Sequence, residues 1–248
     1  MASIVIIGNG IMGKGISRLL TQKKVSNTII GGHDFLANPM GFAENLENSD
    51  IILECLTENM DIKIQMLNAC SALNYKGIIG TCTSSLSINS LQRFAPSPSN
   101  FAGIHFMNPP TMIKLVEVVS GDLTSALTRE SIFNWVTSID STPIEVEDSP
   151  GFLVNSILFV MLNQAAKFYS SSNLTPDAID AAIRTVCGHK LGPLATLDLI
   201  GIDVSIKILE QLHLSDPESF PMPALVLYDL VKEGFLGRKS GKGFYSYK

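Results

Sequence analysis

A histidine and a glutamate, twelve residues apart, stand in two short apolar segments of this chain. His105 ends the segment 100–105, and Glu117 lies within the segment 115–119, where every other residue is apolar. A carboxylate among such neighbours is costly to bury unless a partner compensates its charge, and an imidazole is a suitable partner. The pattern leaves two interpretations open: a structural hydrogen bond, or a pair in which the carboxylate orients a proton-accepting histidine.

Other polar residues lie where a ligand contact and a purely structural role compete. Ser84 follows a predicted strand, so its hydroxyl either contacts a ligand or caps the next helix. Asn155 lies in an apolar segment, where its amide needs partners from the backbone or from a ligand. Lys63 and Lys239 are either solvated surface charges or contacts to a charged ligand. Sequence spacing alone does not separate these interpretations.

Three glycines with GxGxxG spacing carry the most specific signal in the chain. Gly8, Gly10 and Gly13 follow the apolar segment 3–7 directly and open a helical pattern over 12–20. The first glycine permits a tight turn, the second lets backbone N–H groups approach a pyrophosphate, and the third lets helix and strand pack closely. In this context the motif predicts a dinucleotide-binding turn.

The acidic residue that usually accompanies this turn is missing from its expected place. It normally ends the second strand, about 20 residues on, and binds the ribose hydroxyls. Here the strand is predicted to end at Gly31. Asp34 can bind the ribose only if the turn directs its carboxylate back toward the end of the strand. No arginine follows Gly31 to accept a 2′-phosphate, and His33 is the only nearby basic candidate. We therefore expect NAD as the cofactor, with NADP left open.

Two halves of different character must position these residues. In the first half short apolar runs alternate with helical patterns, which predicts a Rossmann-type α/β domain with a doubly wound parallel sheet. Its predicted strands are 3–7, 27–30, 50–56, 77–81, 100–105 and 115–118. The second half predicts an all-α domain with helices at 151–169, 176–186, 195–212 and 223–233. The turn residues that follow Glu147 divide the chain into predicted domains 1–147 and 148–248.

Composition excludes several classes of protein. A net charge of −5 argues against nucleic acid as a partner, because such binding needs a basic surface. No apolar stretch approaches the roughly 18 residues of a membrane span, and the N-terminus lacks the charged region of a signal peptide. The four cysteines stand singly, so neither a disulfide framework nor a metal site is predicted. We expect a cytoplasmic protein without a bound metal.

Eight segments, read together, resemble the 3-hydroxyacyl-CoA dehydrogenase family, which includes bacterial 3-hydroxybutyryl-CoA dehydrogenases. They occur in the family's order and nearly its spacing: GNGIMGKGI, TENMDIK, TSSLSI, GIHFMNPP, LVEVV, DSPGFLVN, LGPLATLDLIGID and GRKSGKGFYSYK. The resemblance covers nearly the whole chain. It implies an oxidoreductase of EC 1.1.1 type that transfers a hydride between a nicotinamide cofactor and C3 of a 3-hydroxyacyl or 3-oxoacyl thioester.

The resemblance also implies roles for individual residues. The family's catalytic histidine and its partner carboxylate fall on His105 and Glu117, its substrate-contacting serine on Ser84 and its active-site asparagine on Asn155. Its contacts to the nicotinamide cofactor fall on Gly8, Gly10, Ile11, Met12, Gly13, Glu58, Lys63, Ser84, Asn108 and Lys239. The family further implies a homodimer, in agreement with the apolar character of the segment 151–169.

Several departures from the family pattern bear on substrate and cofactor. Cys82 replaces an asparagine, Ser156 replaces an arginine, and Gly31 replaces the aspartate that holds the adenosine ribose. Only the segment 31–49 separates the second and third strands, where family members insert a long helical hairpin that contacts the coenzyme A nucleotide. The substrate is therefore expected to be CoA-linked, with an acyl group on a carrier protein as the alternative.

Two other functions compete with this interpretation. A non-catalytic nicotinamide-binding homologue would share the fold, because fold does not determine function. A dehydrogenase of short free 3-hydroxy acids would have a related architecture, but it would use a lysine of the second domain. The intact set of His105, Glu117, Ser84 and Asn155 favours the thioester dehydrogenase over both.

Overall fold

Seven strands form one sheet in the computed structural model of the chain, which describes residues 2–247. In chain order they are β1 (Ile4–Ile7), β2 (Asn27–Ile30), β3 (Ile51–Glu54), β4 (Ile78–Thr81), β5 (Phe101–Phe106), β6 (Leu115–Ser120) and β7 (Thr142–Val146). Their spatial order is β2-β1-β3-β4-β5-β6-β7, and only the pair β5 and β6 is antiparallel. The mostly parallel, Rossmann-type sheet confirms the predicted fold class.

Side chains of the central strands alternate between two apolar layers, one on each face of the sheet. Ile4 and Ile6 of β1 join one layer, and Val5 and Ile7 join the other. The helices of this half are α1 (Ile11–Gln22), α2 (Gly32–Ala37), α3 (Ala43–Glu47), α4 (Met60–Ala72), α5 (Ile88–Gln92) and α6 (Ala126–Ser138). Helices α1 and α6 contribute to the first layer and α2 to α5 to the second, so the sheet is doubly wound.

The seventh strand was not predicted from the sequence. β7 contains Pro143, and its residues are exposed or half-buried rather than forming an apolar run. It lies at the edge of the sheet, where a proline is tolerated because one side of the strand needs no hydrogen-bond donor. The strand therefore lacks the apolar pattern that identified the other six.

Helices make up the second half of the chain, as the sequence predicts. They are α7 (Val154–Ser171), α8 (Pro176–Cys187), α9 (Pro193–Ile200), α10 (Ile202–Ser215) and α11 (Leu225–Lys232). Their apolar faces meet in one core, which includes Phe159, Leu162, Leu194, Leu197, Leu209 and Leu227. Within residues 2–247, no helix is both long and apolar enough to cross a membrane.

Two predicted helix limits in this half were wrong, both because of backbone conformation. The predicted helix 195–212 is two helices, because Gly201 adopts a φ of 104° and interrupts it between α9 and α10. The helix predicted to begin at residue 151 begins at Val154 instead. Gly151 and Phe152 have φ values of 74° and 53°, which lie outside the right-handed helical region.

The chain divides into two compact units, one ending at Leu153 and the other beginning at Val154. The sequence-based division after residue 147 remains a prediction, and its outer limits, Met1 and Lys248, lie outside the described residues. Within the first unit β1, β3, β4 and β5 run parallel, so their carboxyl ends meet at one edge of the sheet. Ligands of such sheets bind at this edge.

Candidate active site

His105 and Glu117 face each other across two neighbouring strands. The antiparallel register of β5 and β6 pairs these two residues directly, which explains their separation in sequence. His105 Nδ1 lies 2.7 Å from Glu117 Oε2, and the two residues are 7% and 0% exposed. With the carboxylate accepting from Nδ1–H, the ring keeps Nε2 as its basic nitrogen.

A second contact fixes the glutamate from its other side. Glu117 Oε1 accepts a hydrogen bond from the backbone N–H of Leu153, at 3.0 Å. The adjacent Phe152 is buried, and its ring centroid lies 5.7 Å from that of His105. A φ of 53° is uncommon for a bulky residue, so the surrounding contacts must hold Phe152 in this conformation. The imidazole is thus positioned by a carboxylate and by an aromatic ring.

Asp148 anchors the segment that carries Phe152, a role that the sequence analysis missed. One oxygen of its carboxylate accepts from the N–H of Ile88 at 2.9 Å, and the other accepts from the N–H of Asn89 and the hydroxyl of Ser87, both at 2.8 Å. These donors lie at the beginning of α5, so Asp148 ties that helix to the end of β7. The aspartate within DSPGF was the available signal, since such residues commonly satisfy free N–H groups.

Ser84 lies in the loop after β4, and Glu58 organises that loop. Glu58 Oε1 accepts from the N–H groups of Ser84 and Ser85, both at 2.9 Å, and from the hydroxyl of Thr83 at 2.7 Å. Burial by itself raises the pKa of Glu58, but the charge of Lys63 and these hydrogen bonds outweigh it and hold the pKa below 4.5. An ionised Glu58 therefore shapes the loop that presents Ser84.

Lys63, expected to contact the cofactor, lies beneath Glu58 rather than at the surface. Its side chain is 1% exposed, and its Nζ lies 2.7 Å and 2.8 Å from the two oxygens of Glu54 and 3.7 Å from Glu58. Burial lowers the pKa of Lys63, but Glu54 and Glu58 more than offset this and raise the pKa above 10.5. The lysine therefore supports Glu58 from below as a permanent cation.

Glu54, which ends β3, is a further buried group that the sequence analysis missed. Besides the lysine, its carboxylate accepts from the hydroxyl of Thr81 at 2.6 Å and from the N–H of Leu56 at 2.6 Å. The signal was an acidic residue closing the apolar run IILE, which must be paired if it is buried. Glu54 thereby links the carboxyl ends of β3 and β4.

The glycine turn has the shape that a pyrophosphate requires. Gly8 has a φ of 119°, and a methyl group on Gly13 would overlap the carbonyl oxygen of Gly8, so both positions need glycine. Gly10 is exposed, and a methyl built on it would find no atom within 4 Å. Gly10 also precedes α1 without any side-chain cap, which leaves the first N–H groups of that helix to a ligand. These residues fit a dinucleotide, and the neighbouring Ile11 is 79% exposed at the same turn.

Two thiols lie close together at the same edge of the sheet. Cys55 and Cys82 follow β3 and β4 directly, and their Sγ atoms are 3.4 Å apart. The contact with Cys82 and burial raise the pKa of Cys55 well above 9.0. Cys82 is the residue that departs from the family's asparagine, and its side chain packs against this neighbouring thiol.

Asp34 lies closer to the glycine turn than its position in sequence indicates. A methyl group built on Gly31 would overlap Asp34 Oδ2 and would lie 3.2 Å from Asp34 Cγ. The Nδ2 of Asn9 would be 3.5 Å from the same methyl position. The carboxylate of Asp34 therefore stands directly over the end of β2, beside the turn.

Four further predicted site residues lie at separate positions in the chain. Met12 is half-buried in the first turn of α1, and Asn108 is exposed just after β5. Asn155 is buried in the first turn of α7. In the second unit, Lys239 forms an ion pair with Asp203. Among residues 2–247, no group of three or more His, Cys, Asp and Glu side chains is placed to hold a metal ion.

Two family models match this chain, one in each half. Residues 39–149 match the family model "3-hydroxyacyl-CoA dehydrogenase, NAD binding domain", and residues 151–247 match "3-hydroxyacyl-CoA dehydrogenase, C-terminal domain". A probable 3-hydroxybutyryl-CoA dehydrogenase of Deinococcus radiodurans is 35% identical over 97% of this chain and 86% of its own length. The chain belongs to the 3-hydroxyacyl-CoA dehydrogenase family. Its activity is that of an NAD-dependent 3-hydroxyacyl-CoA dehydrogenase, an oxidoreductase of EC 1.1.1 type.

Further relatives of this dehydrogenase agree with the assignment. The 3-hydroxybutyryl-CoA dehydrogenase of Clostridioides difficile is 38% identical over 82% of this chain and 73% of its own length. The crystal structure of (S)-3-hydroxybutyryl-CoA dehydrogenase from Ralstonia eutropha has a TM-score of 0.87 and 29% identity, with 100% of this chain and 99% of that chain covered. The predicted family, activity and cofactor class are therefore confirmed.

This dehydrogenase is also shorter than some of its relatives. The human mitochondrial hydroxyacyl-coenzyme A dehydrogenase is 28% identical over 285 positions, which exceeds the 248 residues of this chain. The relative therefore has residues that this chain lacks. Between β2 and β3 the dehydrogenase has only α2, a short 3-10 helix (Pro39–Phe42) and α3, in place of the long hairpin expected of the family.

Proposed function

We propose that this dehydrogenase interconverts short-chain 3-hydroxyacyl-CoA and 3-oxoacyl-CoA, with His105 as the group that moves the proton. The observation that carries the proposal is the buried pair of His105 and Glu117, in which one ring nitrogen is bound and the other is left basic. Short acyl chains are favoured because the similar proteins of Deinococcus radiodurans and Clostridioides difficile are named 3-hydroxybutyryl-CoA dehydrogenases.

In the direction of oxidation, His105 Nε2 accepts the proton of the 3-hydroxyl group while the C3 hydride leaves. Bound NAD supplies the hydride acceptor. The imidazolium that forms is stabilised by Glu117, whose negative charge lies against Nδ1 in a site of low dielectric constant. In the direction of reduction His105 returns the proton to the oxygen. The carboxylate thus orients the imidazole and stabilises its charged form.

The other predicted residues have positioning roles in this proposal. Ser84 is assigned to hold the reacting oxygen with its hydroxyl, which in the structure lies 3.3 Å from Glu58 Oε1, within the loop that Glu58 organises. Gly10 and the first N–H groups of α1 would hold the pyrophosphate of the cofactor. Roles for Asn108, Asn155 and Lys239 rest on the family resemblance alone and stay predictions.

A single assay tests the proposed function against its competitors. Acetoacetyl-CoA and free acetoacetate are offered with NADH, and loss of absorbance of the reduced nicotinamide is followed. We expect oxidation of NADH with the thioester and at least 100-fold slower oxidation with the free acid, because remote binding energy positions C3. NADH binding without turnover of either substrate would instead support the non-catalytic homologue. Faster turnover of the free acid would support a dehydrogenase of free hydroxy acids.

The enzyme is further proposed to be a cytoplasmic homodimer. Several large apolar side chains of the second unit are at least half exposed in the single chain, which favours cover by a second copy. They include Ile157, Phe168, Val186, Leu214 and Leu225. The exposed free thiol of Cys187 is compatible with a reducing compartment. Light scattering coupled to gel filtration should give twice the mass of 26.8 kDa, whereas the monomer mass would contradict the dimer.

A further inference from the structure

The cofactor site of this chain lacks a carboxylate on the residue that follows β2. Gly31 occupies that position and is the N-cap of α2, with an extended backbone at φ −61° and ψ 133°. In dinucleotide-binding folds a carboxylate at the end of this strand accepts hydrogen bonds from the adenosine ribose. Without such a group the ribose would lose its main contact, and NAD and NADP would no longer be distinguished by charge.

A different residue brings a carboxylate to the same place. Asp34 lies in the first turn of α2, and its Oδ2 occupies the space in which a side chain of residue 31 would begin. The spacing of three residues is that of a capping box, so the backbone turn itself directs the side chain back. Gly31 is needed for this arrangement, because any larger residue there would displace the carboxylate.

The surroundings of Asp34 place it at the cofactor turn rather than at an unrelated surface. The N–H of Gly8 donates to the carbonyl of Ile30 at 2.8 Å, so the end of β2 is joined to the glycine turn. A methyl built on Gly32 would lie 3.9 Å from Gly8 Cα. The Nδ2 of Asn9 would lie 3.5 Å from a methyl built on Gly31, so this residue of the glycine turn borders the same space. Asp34 nevertheless remains 70% exposed, so the carboxylate has room for a ligand.

We propose that Asp34 replaces the missing strand-end carboxylate, binds the adenosine ribose hydroxyls of NAD and rejects the 2′-phosphate of NADP. The proposal rests on the NAD-dependent activity described above and names the residue that sets its cofactor specificity. A carboxylate accepts from both ribose hydroxyls, whereas a phosphate on the 2′ position brings negative charge against it. The glycine at 31 and the aspartate at 34 thus act as one unit.

The test compares binding of NADH and NADPH to the whole protein without substrate, followed by nicotinamide fluorescence at fixed salt. We expect the parent to bind NADH more tightly. Asp34→Asn should weaken NADH roughly tenfold and bring the ratio of the two Kd values close to one. The matched control is Glu47→Gln, which removes an exposed carboxylate of α3 in the same segment and should leave both Kd values unchanged.

A relocation variant separates recognition from a capping role. In Gly31→Asp/Asp34→Ala the carboxylate moves to the strand end, and the truncated residue 34 clears the space it needs. We expect this double variant to recover the preference for NADH. If Asp34→Asn weakened both cofactors equally, or if the parent preferred NADPH, the proposal would be overturned and Asp34 would be a helix cap only. Normal turnover of acetoacetyl-CoA with an unmoved Kd ratio would reject Asp34 while leaving the dehydrogenase function intact.

Discussion

One carboxylate, that of Glu117, holds both His105 and the backbone N–H of Leu153. Its Oε2 lies 2.7 Å from His105 Nδ1, and its Oε1 lies 3.0 Å from the nitrogen of Leu153. Both oxygens of a fully buried acid are therefore used, as the cost of burying its charge requires. The contact joins the orientation of the imidazole to the segment that ends the first unit.

Replacing His105 should remove chemistry and leave cofactor binding intact. We expect His105→Gln to lower turnover by roughly 10²–10⁴, the usual contribution of a positioned general base, with an unchanged Kd for NADH. The matched control is His189→Gln, which makes the same change at an exposed histidine of the second unit. Turnover of His105→Gln within a few-fold of the parent would remove this residue from the mechanism.

Glu117 should affect turnover only through its effect on His105. Glu117→Gln keeps the size of the side chain but removes the charge that stabilises the imidazolium, so we expect turnover to fall by roughly 10²-fold. Because the pair acts as a unit, His105→Gln/Glu117→Gln should be no slower than His105→Gln alone. NADH binding confirms that each variant is folded. Multiplying effects in the double variant would show that Glu117 has an independent role.

The second and third glycines of the turn should respond differently to the same added methyl group. Gly10→Ala places a methyl in open space, so we expect an unchanged melting temperature and an NADH Kd raised at least tenfold, since the methyl would occupy space that the pyrophosphate needs. Gly13→Ala forces the methyl onto the carbonyl oxygen of Gly8, so we expect a lower melting temperature as well. Equal NADH affinity in Gly10→Ala and the parent would contradict the assignment of this turn.

The loop of Ser84 should loosen in acid because Glu58 must be ionised to hold it. Its folded pKa lies below its ordinary value of 4.5, so its contribution to stability is present above pH 4.5 and is lost as the pH falls through the folded pKa. We expect Glu58→Gln to be less stable than the parent at pH 7 by less than about 1 kcal/mol, because solvent screens a side chain that is 36% exposed. Urea unfolding as a function of pH measures this. The gap between the two proteins should close below pH 4.5, and a constant gap would show that charge is not involved.

The short segment between β2 and β3 should weaken recognition of the coenzyme A nucleotide. Acetoacetyl-CoA and acetoacetyl-pantetheine are compared side by side, together with the acyl group on a carrier protein. We expect similar KM values for acetoacetyl-CoA and acetoacetyl-pantetheine. The nucleotide by which they differ would lower KM only if the enzyme bound it, because binding energy from a remote group mainly sets KM. A much higher KM for pantetheine would show that the nucleotide is still bound elsewhere. A kcat/KM for the carrier-protein substrate well above that for acetoacetyl-CoA would favour that alternative substrate.

Local sequence signals were sufficient for part of this enzyme. The glycine turn, six of the seven strands and the helical second half were predicted, because each depends on residues that are close together in the chain. Apolar periodicity and glycine spacing are properties of short segments, so they survive without knowledge of the fold. A pairing of His105 with Glu117 was expected from the sequence with its role left open, and the register of β5 and β6 places the two side chains together.

Tertiary structure decided where the charged side chains lie. Lys63 is buried against Glu54 because α4 packs on the sheet, a contact that its local sequence does not indicate. The segment 142–146 forms strand β7 because it pairs in parallel with β6. The position of a side chain depends on elements distant in sequence, and no local pattern records those contacts.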